Sequence, residues 1–148
     1  MSGTGLDFVT IEGGGQDQFS SRGCITIDGG INGNTYLNID RGRLVADGTA
    51  EAGVILGASD AGSTGGGWLG VFFRDATLSG SRLTHTLVKQ GGQDAFGARG
   101  GINVIDSGPE VTLDHVTFAA NSQADVFHTC SSAPTFVATT GVIANDCE

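Results

Sequence analysis

A long internal repeat restricts this chain's fold more than any other feature. The segments GGGQDQFSSRGCITI (residues 13–27) and QGGQDAFGARGGINV (residues 90–104) are two versions of one pattern. A shift of 77 positions puts Gly14, Gly15, Gln16 and Asp17 on Gly91, Gly92, Gln93 and Asp94. The same shift puts Phe19, Arg22, Gly23 and Ile25 on Phe96, Arg99, Gly100 and Ile102, and Leu6 on Leu83. Residues 2–28 thus correspond to residues 79–105 without a gap. Self-similarity at a fixed period marks a stacked architecture, in which each unit buries its apolar face against its neighbours.

The period subdivides. TGLDFVTI (residues 4–11), SRLTHTLV (81–88) and VTLDHVTF (111–118) share an apolar residue, a two-residue step and then alternating apolar positions. Alternation at period two predicts strands, and the step predicts a bend between two of them. Shorter strands are predicted at CITID, GVILG, WLGVFF, GINVID and DVFHT. No helical stripe or capping box precedes any apolar run. Short strands grouped in coils of roughly 20–30 residues describe a solenoid of parallel strands. The expected core is a set of stacked aliphatic ladders, one of them Leu6, Leu37, Leu83 and Leu113.

The 148 residues make one domain, 39% of them apolar, enough to bury a core. With 26 Gly and only 2 Pro, the corners are made by glycine and small polar residues. A net charge of -9 disfavours nucleic acid and anionic membrane as partners, since both require clustered Lys and Arg. No apolar run reaches the roughly 18 residues of a membrane span. The N-terminal residues lack the basic and apolar regions of a signal peptide, so an exported parent would carry its signal elsewhere. Of three cysteines, Cys130 and Cys147 lie close together and Cys24 lies far upstream. The expectation is a Cys130–Cys147 disulfide with Cys24 a free, partly buried thiol, which fits an exported protein. No CxxC or paired-His spacing supports zinc.

Residues Asp47-Gly48-Thr49, Val54-Ile55-Leu56 and Gly66-Gly67-Trp68-Leu69-Gly70 carry a resemblance. A DGT segment, an apolar run and a Gly-Gly-Trp strand resemble the right-handed parallel β-helix repeats of bacterial secreted and cell-surface proteins, of the pectate-lyase-like superfold. The likeness covers most of residues 5–128. It implies an all-β, right-handed parallel β-helix of about five to six rungs with no significant helix. The whole chain would be one domain, residues 1–148, with a C-terminal capping segment at 129–148. Pectin-degrading enzymes, phage tailspikes and non-catalytic surface modules share this fold, so it does not by itself assign function.

The enzymes of this superfold carry recognisable motifs: an Asn-Thr-Asp strand, an Asp-Asp pair, a Gly-His-Gly and an Arg-Ile-Lys in the hydrolases. None occurs here, and no catalytic residue, metal or cofactor is assigned. Asp75, Asp106 and Asp114 fall at turns, where Asp commonly caps backbone groups. The repeated loops have two readings. In one, Asp17 with Arg22 and Asp94 with Arg99 close each loop, with Phe19 and Phe96 in the corner. In the other, Gln16, Asp17, Arg22, Gln93, Asp94 and Arg99 line a polar groove, and Arg takes the carboxylate of an acidic sugar. If 77 residues span three rungs, the two loops lie on one face about 14 Å apart. His85 and His115 occupy the same bend one rung apart, where the first copy has Phe8. That is a stacking position on the outside of a bend that could also contact a ligand, and no third residue suggests a metal.

The expected function is a non-catalytic scaffold or recognition module of an exported bacterial protein, with polysaccharide as ligand. The alternatives are a carbohydrate-active β-helix lyase or hydrolase, and a structural or engineered fragment of a longer helix. Localisation at the cell surface or outside the cell follows from the resemblance. Residues 1–5 carry nothing that caps a solenoid, so self-association through that end is expected. Sedimentation at several concentrations should show species larger than a monomer; one monomeric species at high concentration contradicts this.

Overall fold

The computed structural model describes residues 8–13, 18–21, 25–27, 36–39, 42–58, 68–74, 79–92, 99–105 and 111–147. Fifteen short strands occupy them, with no helix among the described residues. They are β1 (Phe8–Gly13), β2 (Gln18–Ser21), β3 (Ile25–Ile27), β4 (Tyr36–Ile39), β5 (Gly42–Asp47), β6 (Val54–Ala58), β7 (Gly70–Phe73) and β8 (Ser81–Thr84). They continue as β9 (Thr86–Lys89), β10 (Gly100–Val104), β11 (Val111–Asp114), β12 (Thr117–Ala119), β13 (Ala124–His128), β14 (Thr135–Val137) and β15 (Ile143–Asn145). Three sheets collect them, in the orders β14-β11-β8-β5-β1-β2, β12-β9-β6-β3 and β15-β13-β10-β7-β4. Every pairing among β3 to β15 is parallel.

From β3 to β13 the chain visits the second, third and first sheets in strict rotation. Each circuit lays a strand beside its predecessor in unbroken register. In the first sheet Asp47 faces Thr84, Thr84 faces Asp114, and Asp114 faces Val137. After β14 the chain goes directly to β15 in the third sheet.

Alternation decides which side chains enter the interior between the sheets. Leu44, Ala46, Leu83 and Leu113 enter from the first sheet, Val54, Leu56 and Val88 from the second, and Ile39, Val71, Phe73, Ile102, Val104 and Val126 from the third. All are buried. Equivalent residues stack about 4.8 Å apart along the sheet. One ladder runs Ala46, Leu83, Leu113, Phe136 and another Leu37, Val71, Ile102, Val126. The expected ladder is therefore corrected at Leu37, which belongs to the third sheet, while Leu6 lies outside the described residues. Alternation separates inside from outside but does not say which of three sheets a strand joins.

The second repeat copy behaves as its sequence suggests: β8 and β9 flank a bend at His85, as β11 and β12 flank one at His115. The first copy does not. β1 begins at Phe8 and pairs antiparallel with β2 and β5. β3 joins the second sheet, whereas its repeat counterpart β10 joins the third. The placement of both loops on one face, three rungs apart, does not follow from these sheet assignments. His85 and His115 turn the chain with φ of 43° and 51°, a region where His is enriched and a bulky aromatic such as Phe is disfavoured.

Buried polar groups hold the corners between the second and third sheets. Trp68 is fully buried, and its indole N–H donates to the Lys89 carbonyl at 2.9 Å. The Asn121 carboxamide accepts from Gly91 N–H at 2.9 Å and donates to the Asp125 carboxylate at 2.9 Å. Asn103, also fully buried, accepts from the N–H groups of Arg99 and Gly100 and donates to the Gly100 carbonyl. Gly70 opens β7 with φ of 105°, and the backbone of Gly101 in the next strand fills the space a Cβ would need. At the C-terminal end Cys130 and Cys147 are joined by a disulfide with Cα atoms 5.1 Å apart. The bridge encloses β14 and β15, and Cys130 N–H donates to Asp146. Closing a loop of this length contributes about 3 kcal/mol through chain entropy.

Leu83 and Leu113 are fully buried and are direct register partners. Leu83→Ala and Leu113→Ala should each cost about 2–5 kcal/mol. The double variant should depart from additivity by about 0.5–3 kcal/mol, because the two cavities adjoin. Denaturant titration of all four proteins checks both statements, and additive losses would mean that the side chains do not share a ladder.

Candidate binding site at the histidine corner

The corner between the first and second sheets is built by backbone before side chains enter. His85 N–H donates to the Asp114 carbonyl at 3.0 Å, and His115 N–H donates to the Val137 carbonyl at 2.9 Å. Val54 N–H donates to the His85 carbonyl at 3.0 Å. These backbone bonds carry the ladder into the corner from layer to layer and set the two histidines one above the other. Their rings stack with centroids 4.6 Å apart and planes at 25°. Left-handed φ at a residue with a side chain costs about 1–3 kcal/mol, which the continuous ladder offsets.

Asp114 sets the chemistry of the upper ring. Its Oδ1 lies 2.6 Å from His115 Nδ1. A carboxylate only accepts, so the proton resides on Nδ1 and Nε2 is the second ring nitrogen available to a ligand. The His115 side chain is about half exposed, at 51%. One layer earlier the corner carries no ring. Gly48 and Gly53 pass beneath the His85 carbonyl too closely for any Cβ. Between them Thr49 N–H donates to the Ala52 carbonyl and Ala52 N–H donates to Thr49 Oγ1, closing a tight turn.

Where the ring stack ends, a groove of about 340 Å³ opens across three successive layers. Thr49, Gly53 and Ile55 line it in one layer, His85, Thr86 and Leu87 in the next, and His115 and Thr117 in the third. Ring edges and hydroxyls supply hydrogen-bonding groups, and Ile55 and Leu87 supply aliphatic surface. Beside the corner, Arg82 donates two hydrogen bonds to Asp47, at 2.8 and 2.5 Å. The Asp47 hydrogen bond is the main cause that raises the Arg82 guanidinium above its ordinary value, with burial acting in the opposite direction.

Of the ligand-binding residues expected from the sequence, His85 and His115 come together here. Arg99 does not join them. It precedes β10 in the third sheet, exposed, with its guanidinium 4.8 Å from the centre of the Phe127 ring. Gln16, Asp17, Arg22, Gln93 and Asp94 lie outside the described residues, as does Cys24. Asp114 was expected to cap backbone at a turn, and its side chain instead orients His115. The adjacent Asp-His in VTLDHVTF is the sequence signal for that pairing. Thr49, Leu87 and Thr117 had no sequence signal as lining residues. Among the described residues, one trio of His, Cys, Asp or Glu lies close enough to share an ion, Cys130, Asp146 and Cys147. Its two sulfurs are already bonded to each other.

No protein-family model, no curated protein and no solved structure matches this chain. The corner is accordingly read from its own chemistry.

The backbone account predicts a reversal of the usual propensity order. His85→Gly and His115→Gly should leave stability within about 1 kcal/mol, because glycine accepts positive φ freely. The corresponding valine variants should lose about 1–3 kcal/mol more than the glycine ones. Thermal unfolding of the four variants checks this. Equal losses for Gly and Val would mean that the corner does not depend on left-handed backbone.

Proposed function

We propose that the chain is a right-handed parallel β-helix of about five turns that serves as a non-catalytic recognition module for polysaccharide in an exported bacterial protein. The rotation of the chain through three sheets supports the helix, and the five strands of the third sheet supply the number of turns. Right-handedness rests on the strong rule for parallel crossovers. The Cys130–Cys147 disulfide supports an oxidising compartment.

The observation that carries the ligand assignment is the groove across three layers. Its first layer offers the Thr49 hydroxyl, the next two each offer an imidazole at a spacing of about 4.8 Å, Thr117 adds a hydroxyl in the third, and aliphatic side chains lie along its length. An extended sugar polymer offers the matching surface, hydroxyl edges and apolar C–H faces repeating at a similar interval. The groove spans about 10 Å, room for about two sugar units.

A glycan array with the whole chain tests the reading. Polysaccharide binding should be present in the wild type and weakened at least about tenfold in His85→Asn and Leu87→Ala, a loss of roughly 1.4 kcal/mol. Loss on Arg99→Ala with groove variants unaffected would move the site to the third sheet. Incubation with the bound polysaccharide supplies the second arm. Unsaturated products absorbing in the ultraviolet would make the protein a lyase, and new reducing ends would make it a hydrolase.

A further inference from the structure

We propose that His85 and His115 together bind a borderline divalent transition metal ion, Cu2+ in preference to Zn2+, at the groove edge of their stack. The two imidazoles leave the same corner of adjacent strands, lie 4.6 Å apart and line one open groove. Imidazole nitrogen is the favoured side-chain ligand for this class of ion. The bond from His115 Nδ1 to Asp114 Oδ1, 2.6 Å long, leaves Nε2 as the ligand atom. That carboxylate–imidazole arrangement is what orients histidines around bound metals.

Charge selects a cation over an oxyanion as the shared guest of the two ring edges. The chain carries a net charge of -9, and Asp114 lies against the pair. Bonds of about 2.0–2.1 Å to one ion require the two ring nitrogens to come within about 4 Å of each other, so the His85 ring tilts toward His115 at the groove edge while Asp114 holds the His115 ring in place. No third His, Cys, Asp or Glu atom joins this pair among the described residues, so water completes the coordination. Two imidazoles and water favour Cu2+ by the ordinary ordering of divalent affinities, and they offer nothing to Ca2+ or Mg2+, which require several oxygen ligands. This assignment stands apart from the polysaccharide reading, since it needs no sugar.

The test is calorimetric titration of the full chain with copper(II) and zinc chlorides, together with electron paramagnetic resonance of the copper form. The variants are His85→Asn, His115→Asn and Asp114→Asn. Asparagine tolerates the left-handed backbone of both corners, and circular dichroism confirms that each variant is folded. One Cu2+ per chain is expected, with hyperfine structure from two imidazole nitrogens. Each histidine variant should bind at least tenfold more weakly, and Asp114→Asn about 10–100-fold more weakly. Calcium and magnesium chlorides should give no heat. A wild type that takes up neither Cu2+ nor Zn2+ overturns the proposal. So do histidine variants that bind as tightly as the wild type, which would place the ion elsewhere on the acidic surface, and so does a spectrum with a single coordinated nitrogen.

Discussion

The backbone hydrogen-bond ladder does not stop at the corners, and the rest of the structure depends on that continuity. Strands of three to six residues are too short to hold a register alone. Here the N–H groups of His85 and His115 at one corner, and of Gln90 at the next, donate to the layer above exactly as strand residues do. Each corner residue is locked over its neighbour, and the sheets on either side inherit that registration. The cost is a positive φ at residues with side chains, among them His85, Gln90, His115 and Ala120. Amide and indole groups from Trp68, Asn103 and Asn121 satisfy the backbone where the turns are buried.

The histidine stack is a by-product of this rule. Two residues fixed one above the other must place their rings face to face, and the stack ends where Gly48 and Gly53 leave no room for a Cβ. The groove begins at that termination. Its position is therefore set by the backbone of one turn, and its chemistry by three successive layers. Asp114 couples the two, because its carbonyl anchors His85 and its carboxylate orients His115.

The sequence made part of this legible. Alternation marked the strands either side of His85 and His115, and the two-residue step marked the bends. Sheet membership was not legible, as Leu37 shows: its alternation is that of Leu83, but its partner is Val71. The repeat was legible as sequence and misleading as position, because β1 pairs antiparallel and β3 joins a different sheet from its counterpart β10. Left-handed corner residues that are not glycine, such as Gln90 and Ala120, leave almost no trace in composition. The seating of Arg99 on Phe127 joins residues from adjacent turns, and no local pattern in the chain reports it.

The length of successive circuits carries one more consequence, for the order in which the molecule assembles. In the third sheet the chain takes 34 residues to return from Ile39 to Phe73, but only 17 from His128 to Asn145. Closure entropy grows with the logarithm of loop length, so this halving makes the last turn easier to close by about 0.6 kcal/mol. No strand from β3 onward pairs with its immediate successor, so ordering must begin with the closure of some circuit. The cheapest lies at the C-terminal end and overlaps the segment that the disulfide encloses. Assembly thus favours that end as its seed, with longer turns added against an edge already in register. The chain is threaded from its first residue and winds most readily from its last.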